Sequence, residues 1–379
     1  MSKKEENKKK DMLDIYLKFK DSNDFTDVGK LLGKGAFGEV RDIKFRNKTM
    51  AGKLIERENS DQQSEEEKVG SNLRGQNIIK INKIYTKEID GKTYDLIIME
   101  KAVLRDLGKL NEFYHRHNLL KLINNKIYYP FDESMGNNLL RFYSMQIINA
   151  LEVLDRNDYI HYDIKPENLL ITINLIIKLS DFSLITKAIE GQLTKIPGGT
   201  LGYVSPEYYI ERNVSSEDAK KQDYFALGST LFFLKFGEHM LKYKKSENRV
   251  VNSDKIIELL QQNIAIIKSQ KLSDKGFIDF ICSLIQYKPK DRPSFENIYR
   301  NKWLNKDSDK INTVFSAFEN DEEKLIMELQ KLDFLIRKEE EFNEEINNNN
   351  LNEKKLSFKE KPKKKICRFR FKKKKINNN

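Results

Sequence analysis

The sequence predicts an α+β protein with its strands first and its helices after. Between Phe25 and Ile98, short alternating apolar segments are broken by glycine turns, the pattern of strands and hairpins. From about Lys101 to Trp303, apolar residues recur at helical spacing. The chain has 379 residues, 39% of them hydrophobic, ample for a packed core. At ~100–200 residues per domain, that length predicts two or three folding units.

Residues 1–24 are polar and read as a loosely ordered extension. The segments Lys30-Leu-Leu-Gly and Gly38 to Phe45 alternate like a hairpin around a glycine turn. Glu56 to Leu73 is rich in Glu and Gln and reads as one helix. Tyr94 to Met99 returns to a strand. Residues 109–137 read in part as an inserted loop rich in Asn, Lys and Tyr. Asn138 to Asn157 carries Leu139, Leu140, Phe142, Tyr143, Ile147, Ile148, Leu151 and Leu154 at helical spacing. Short strands follow at Leu169–Ile171 and Ile176–Leu179, then helical segments from Asp218 to Trp303. Leu325, Leu329, Leu332 and Ile336 predict an amphipathic helix within a Glu/Lys-rich stretch at 320–345.

Chemistry concentrates in three short stretches. Gly33-Lys-Gly-Ala-Phe-Gly-Glu-Val40 is a glycine-rich loop, in which backbone amides can approach phosphates with no side chain in the way. Lys53 follows 13 residues after Val40. His161-Tyr162-Asp163-Ile164-Lys165-Pro166-Glu167-Asn168 brings together a proton acceptor, a cation and a metal ligand, and Asp181-Phe182 follows. In this order, and from about Phe25 to Leu304, the chain resembles a eukaryotic protein kinase. Ile164-Lys165-Pro166-Glu167 and Gly199-Thr200-Leu-Gly-Tyr203 resemble the serine/threonine type.

The resemblance implies a two-lobed kinase fold spanning residues 25–304, with a small β-rich lobe at about 25–100 and a larger α-helical lobe at about 101–304. It implies a charged helical extension at 305–350 and a basic tail at 351–379. It implies ATP and Mg²⁺ as cofactors. Leu32 would contact the nucleotide, Gly33, Gly35 and Gly38 would line the phosphates, and Val40, Ala51 and Leu170 would sandwich adenine. Met99 would be the gatekeeper, with backbone groups near Glu100 and Ala102 bonding the adenine edge. Lys53 would contact the α- and β-phosphates, held by Glu66, with Glu65 and Glu67 still open. Asp163 would accept the substrate proton and Lys165 would stabilise the transferring phosphoryl group. Asn168 and Asp181 would hold the metal. Glu207, Arg292 and Asp223 match structural residues of the family, and His161 reads as packing beside Phe182.

Three departures bear on regulation. Tyr162 stands where the family has the Arg that grips a phosphorylated activation loop, which argues against strict control by loop phosphorylation, although Thr186, Thr194 and Thr200 offer hydroxyls. Ser183 replaces a glycine after Asp181-Phe182 and lacks its φ freedom. Gly70 falls where the family has a bulky apolar side chain, and the change is expected to loosen that helix or the active conformation.

The implied function is ATP-dependent phosphorylation of serine or threonine hydroxyls on proteins by a monomeric kinase domain. A nucleotide-binding pseudokinase acting as a scaffold or allosteric partner is the alternative, and a kinase acting on small molecules or lipids is a third. Residues 351–379 hold eleven Lys and two Arg against Glu353 and Glu360, an excess equal to the whole-chain charge of +11. Three readings of this tail stay open: an anionic-membrane anchor with Phe369, Phe371 and a palmitoylated Cys367, a nuclear or nucleic-acid patch, and a solvated tail. No transmembrane run, secretory signal, EF-hand loop or disulfide framework is legible, and Cys282 reads as a core residue. The expected location is therefore intracellular and cytoplasmic, with a nuclear or membrane-associated fraction through the tail.

Overall fold

The computed structural model describes residues 12–20, 24–35, 38–57, 69–70, 72–102, 106–109, 111, 133–172, 176–211, 213–237, 239–241, 253–269 and 274–305. The predicted elements at 320–345 and 351–379, and most of the inserted loop, lie outside these residues.

Five antiparallel strands build the small lobe in the order β1-β2-β3-β5-β4: β1 Phe25–Gly35, β2 Gly38–Phe45, β3 Lys48–Glu56, β4 Ile81–Ile89 and β5 Lys92–Met99. Two tight turns set their register. Arg46 and Asn47 (φ 47° and 62°) close β2 onto β3, and Asp90-Gly91 (φ 53° and 75°) closes β4 onto β5. Two consecutive left-handed residues match the right-handed twist of a hairpin, which is why Asn and Asp-Gly sit there. Glu56 belongs to β3, paired with Tyr94, so the helix expected from Glu56 begins later. Residues 58–68 of that segment lie outside the described residues, and 69–70 are helical.

The sheet has two covered faces. Side chains alternate along a strand, so Ile97 and Met99 of β5 join the core shared with the large lobe. Leu96 and Ile98 point the other way, into a cluster with Phe25, Ile43, Phe45 and Leu54. A helix at 12–18, α1, covers this second face through Tyr16, with Phe19 just beyond it. The N-terminal extension expected to be loosely ordered is thus part of the small lobe from residue 12 to residue 20. Its apolar residues find a partner only once the strands are assembled.

The large lobe is helical: α2 Glu133–Arg156, α3 Glu207–Ile210, α4 Ser216–Phe236, α5 Ser253–Ser269, α6 Lys275–Leu284, α7 Phe295–Tyr299 and α8 Lys302–Asn305. Ser215, Asp274 and Ser294 cap α4, α6 and α7 by accepting N–H bonds from Asp218, Phe277 and Asn297. Short two-stranded ribbons carry the functional loops: β6 Tyr159–Ile160 with β9 Thr186–Lys187, β7 Leu169–Ile171 with β8 Ile177–Leu179, and β10 Leu193–Lys195 with β11 Asn213–Ser215. Cys282 is buried in the core of this lobe.

Backbone bonds join the lobes. The Ile79 N–H donates to Leu179 O and the Leu179 N–H to Asn77 O, at 2.9 and 2.8 Å. The Asn77 amide donates to Gln146 Oε1 and to Ile177 O. In the large lobe, the Arg292 guanidinium is fully buried. It pairs with Glu207 (2.7 Å) and donates to the carbonyls of Gln286, Lys221 and Tyr287.

Gly70 packs closely against β4. A Cβ built there would meet Ile81 Cδ1 at 2.9 Å, so Ile81 of β4 already occupies the space of a side chain. Gly70→Leu, which restores the family's bulk, is expected to overpack this contact and destabilise the protein by about 1–3 kcal/mol. A urea-unfolding midpoint at or above that of wild type would contradict the packing.

Candidate active site

The catalytic loop is held from behind by Asp223, in the buried part of α4. Its two carboxylate oxygens accept the backbone N–H groups of His161 (2.7 Å) and Tyr162 (2.9 Å). Burial pushes the Asp223 pKa up to about 7, against these two donors, which favour the ionised form. Tyr162 has φ 64°, a left-handed conformation that a residue with a Cβ rarely adopts.

His161 faces the other way. Nε2 lies 3.1 Å from Ser180 O, Nδ1 accepts the Asp163 N–H, and the ring stands edge-on to Phe182 with centroids 5.6 Å apart. Complete burial lowers its pKa, so the ring is neutral with its proton on Nε2. This is the packing role expected from sequence.

Four donors converge on Asp163, which is 5% exposed. Oδ1 accepts the Thr200 hydroxyl (2.6 Å) and the Thr200 N–H (3.1 Å). Oδ2 accepts Lys165 Nζ (2.6 Å) and Asn168 Nδ2 (3.0 Å). Lys165 also donates to Thr200 Oγ1 at 2.7 Å, closing a triangle of Asp163, Lys165 and Thr200. The Asn168 amide nitrogen is committed to Asp163, so its carbonyl oxygen is the atom a metal would take. A short 3₁₀ turn, Pro166–Asn168, presents it.

Lys53 lies on the cleft face of β3, in register with Val40. Its Nζ pairs with Asp181 Oδ1 at 2.7 Å, across the two lobes. Burial alone would raise the Asp181 pKa, but the Lys53 ammonium outweighs it and holds the carboxyl below the usual range. Glu66, Glu65 and Glu67, the expected partners of Lys53, lie outside the described residues. Asp181 takes the left-handed turn itself (φ 65°), whereas Ser183 is not among the residues of positive φ. The glycine freedom that Ser183 lacks is therefore not used in this arrangement. Ser183 Oγ is buried and makes no well-formed hydrogen bond, yet stands near enough to Asp181 to favour its ionised form.

Gly33 and Gly35 face open space, Gly33 opposite Val40 and Gly35 opposite Gly38. At Gly38 the chain passes so close to β3 that an added Cβ would lie 2.2 Å from Leu54 O, so only glycine fits. Leu32 is exposed on β1, Ala51 is buried, and Val40 and Leu170 pack half-buried against the main core. Met99 ends β5 beside Ala51 and Ile81. The hinge beyond it is clamped at both sides. Glu100 pairs with Lys178 of β8 at 2.9 Å and accepts the Lys80 N–H, and Lys101 pairs with Asp42 of β2 at 2.7 Å. Ala102 follows, half-buried.

Two further positions stand beside the residues named from sequence. Thr200, by sequence one of the activation-segment hydroxyls, is bonded to both Asp163 and Lys165. Asp106 was not singled out. Its backbone bridges Leu170, and its carboxylate caps the helical turn at 107–109 by accepting the Lys109 N–H. Burial, and to a lesser degree the Glu167 carboxylate, raise its pKa to about 6. Nothing in its local sequence marks it.

The activation segment rests on apolar contacts. Tyr162 packs with Ile160, Ala188, Ile196, Val214 and Ala219. Thr194 is buried in β10, Thr186 donates to Leu184 O, and Thr200 is engaged by Asp163 and Lys165. None of the three hydroxyls expected to be available stands free in this conformation. The buried Tyr162 hydroxyl has no hydrogen-bond partner among the described residues, and burial raises its pKa well above the usual phenol value. Tyr162→Phe is expected to be neutral or to stabilise the fold by about 1 kcal/mol, because it removes an unsatisfied polar atom. Tyr162→Arg is expected to cost more than about 3 kcal/mol by burying an unpaired charge. Chemical unfolding of both variants checks the pair, and the opposite order would contradict the apolar anchor.

The protein kinase domain family matches residues 26–304 of the chain. Similar proteins include the Aurora kinase of Schizosaccharomyces pombe, 29% identical over 295 residues, covering 75% of this chain and 72% of that protein. The Aurora kinase of Saccharomyces cerevisiae is 29% identical over 292 residues, 76% of this chain and 71% of that protein. Human serine/threonine-protein kinase MRCK alpha is 26% identical over 221 residues, 56% of this chain and 12% of that protein. With this match over most of its length, on a two-lobed fold whose cleft carries Lys53, Asp163, Lys165, Asn168 and Asp181, the chain belongs to the protein kinase family.

Proposed function

We propose that the chain is catalytically active and transfers the γ-phosphoryl group of ATP to serine or threonine hydroxyls of proteins. The observation that carries this reading is the convergence of Lys165, Asn168 and Thr200 on the Asp163 carboxylate, with Lys53 and Asp181 paired across the cleft. Among the described residues, Lys53, Asp163, Lys165 and Asp181 are each oriented by an ion pair.

The donor set fits Mg²⁺. Asp181 and Asn168 supply hard oxygen ligands, and Mg²⁺ keeps several waters, so it needs one or two protein ligands plus phosphates and not a cage of carboxylates. When bound, Mg²⁺ supplies charge neutralisation on the phosphates. The remaining work falls to this chain's residues. Lys53 orients the α- and β-phosphates, and Glu66 is the proposed carboxylate that steadies it. The backbone around Gly33, Gly35 and Gly38 covers the phosphates. Leu32, Val40, Ala51, Met99 and Leu170 enclose adenine, with backbone groups of Glu100 and Ala102 at its edge. Asp163 holds the acceptor hydroxyl in line and takes its proton as oxygen bonds to the γ-phosphorus and the bond to the β–γ bridging oxygen breaks. ADP is the leaving group. Lys165 neutralises charge on the group in flight, and Thr200 keeps Lys165 and Asp163 in register.

The alternative, a nucleotide-binding scaffold without turnover, was motivated by Tyr162, Ser183 and Gly70. Each finds a fitted place: Tyr162 in an apolar cluster, Ser183 at ordinary φ, and Gly70 beneath Ile81. These observations favour turnover without loop phosphorylation. On purified protein with Mg²⁺, labelled ATP and a Ser/Thr-rich substrate, Asp163→Asn is expected to lower kcat by about 10²–10⁴-fold with nucleotide binding kept. Thr200→Ala should also reduce kcat, and Thr200→Ser should restore most of it. Nucleotide binding by wild type without transfer would sink the proposal in favour of the scaffold.

Among the described residues, no helix is long and apolar enough to cross a membrane. We infer an intracellular kinase domain that works as a monomer on protein substrates, with the basic 351–379 segment reaching an anionic membrane surface or a nuclear partner. Deleting 351–379 is expected to leave transfer to a soluble substrate unchanged and to remove binding to phosphatidylserine vesicles or to nucleic acid. Loss of soluble activity would show that the tail belongs to the catalytic unit.

A further inference from the structure

The helix α1 does more than cover the back of the small-lobe sheet. Tyr16 is fully buried, and its hydroxyl lies 2.5 Å from Glu39 O and 2.8 Å from Gly52 O. These carbonyls belong to different strands. Glu39 immediately precedes Val40 on β2, and Gly52 immediately precedes Lys53 on β3, and Val40 and Lys53 are register partners. One phenol therefore spans two strands at the point where, on the opposite face, they present Val40 and Lys53 to the cleft. Burial holds the Tyr16 pKa far above the usual phenol range, so the group remains a donor, although the Leu54 and Arg41 backbone groups beside it pull the other way.

The surroundings are built around this contact. Gly52 is closely covered, since an added Cβ would lie 3.0 Å from Ile43 Cγ2. The Arg41 guanidinium sits 6.0 Å from the Tyr16 ring centroid, and its Nε donates to the almost fully buried Glu39 carboxylate at 2.6 Å. At the far end of α1, Lys18 Nζ pairs with Asp90 and Lys87 donates to Lys18 O, which ties the helix to the β4–β5 hairpin. Gly38, where the glycine-rich loop enters β2, is pressed against Leu54 O on the same stretch of β3.

We propose that Tyr16 is a positioning residue for the nucleotide site, its hydroxyl bracing β2 against β3 behind Val40 and Lys53, with α1 as the element that delivers it. The proposal rests on the kinase reading for its readout of turnover, and on nucleotide binding alone for its decisive test. Tyr16→Phe keeps the ring and removes the brace. Phe19→Leu weakens the packing of the same segment and leaves the hydroxyl in place.

In the full chain, thermal unfolding, the Kd for a fluorescent ADP analogue with Mg²⁺, and KM for ATP against kcat are measured for wild type and both variants. Tyr16→Phe is expected to raise Kd and KM for ATP about three- to tenfold, the scale of one lost hydrogen bond, with kcat changed less than about twofold. Phe19→Leu is expected to lower Tm at least as much, with Kd within about twofold of wild type. Two results overturn the brace: a Tyr16→Phe Kd equal to that of wild type, or a Phe19→Leu variant whose affinity falls as far for the same loss of Tm. Wild type that binds nucleotide without transferring phosphate would defeat the kinase reading alone, since the Kd comparison still decides the brace. Wild type that binds no nucleotide would defeat both.

Discussion

Asp223 sets the shape of the catalytic loop by accepting two consecutive backbone N–H groups, those of His161 and Tyr162. Holding Tyr162 at φ 64° costs about 1–2 kcal/mol for a residue with a Cβ. Each hydrogen bond contributes about 0.5–1.5 kcal/mol, and more when its acceptor is ionised, so the two together offset that strain. Once the turn is held, the His161 ring is directed at Ser180 O and Phe182, and Asp163 is presented to Lys165, Asn168 and Thr200. The loop is thus positioned from the large-lobe core outward. Its chemistry is concentrated on one carboxylate, which four donors orient.

The surroundings of that loop divide into a polar side and an apolar side. On the polar side, Lys53 compensates the charge of Asp181 and Lys165 that of Asp163, and the Asn168 amide donates to Asp163. On the apolar side, Tyr162 joins Ile160, Ala188, Ile196, Val214 and Ala219 beneath the activation segment. A segment held by phosphate needs a cation at this position to receive it. A segment held by β9 and β10 pairing and by an apolar cluster needs none, because its anchoring free energy comes from removing apolar surface from water. The tyrosine and the ordering of the segment are two views of one arrangement.

The small lobe shows the same economy with its two-faced sheet. One face carries Val40, Ala51 and Lys53 toward the cleft. The other is closed by α1, which turns a sheet with an exposed apolar face into a layered unit. The hinge clamps, Glu100 to Lys178 and Lys101 to Asp42, and the backbone bonds between Ile79, Asn77 and Leu179 then carry the position of that unit into the large lobe.

The sequence by itself determined what depends on short-range spacing. The order Gly33–Gly38, Lys53, Asp163–Asn168 and Asp181 was legible because each loop's chemistry is written within a few residues. The strands were legible because alternation and Asn or Asp-Gly turns are local signals. Glu56 was misplaced because its pairing with Tyr94 depends on a strand 38 residues away. Tertiary structure alone decided the rest. Residues 12–20 read as a polar extension because the apolar surface that receives Tyr16 and Phe19 exists only after β2, β3 and β5 have paired. Gly70 read as a defect because the side chain that fills its place, Ile81, comes from a different element. Tyr162 read as a missing cation because the cluster it joins is assembled from β6, the activation segment, β11 and α4. In each case the deciding contact is made by a residue remote in sequence, and burial, which depends on the whole fold, supplies its free energy.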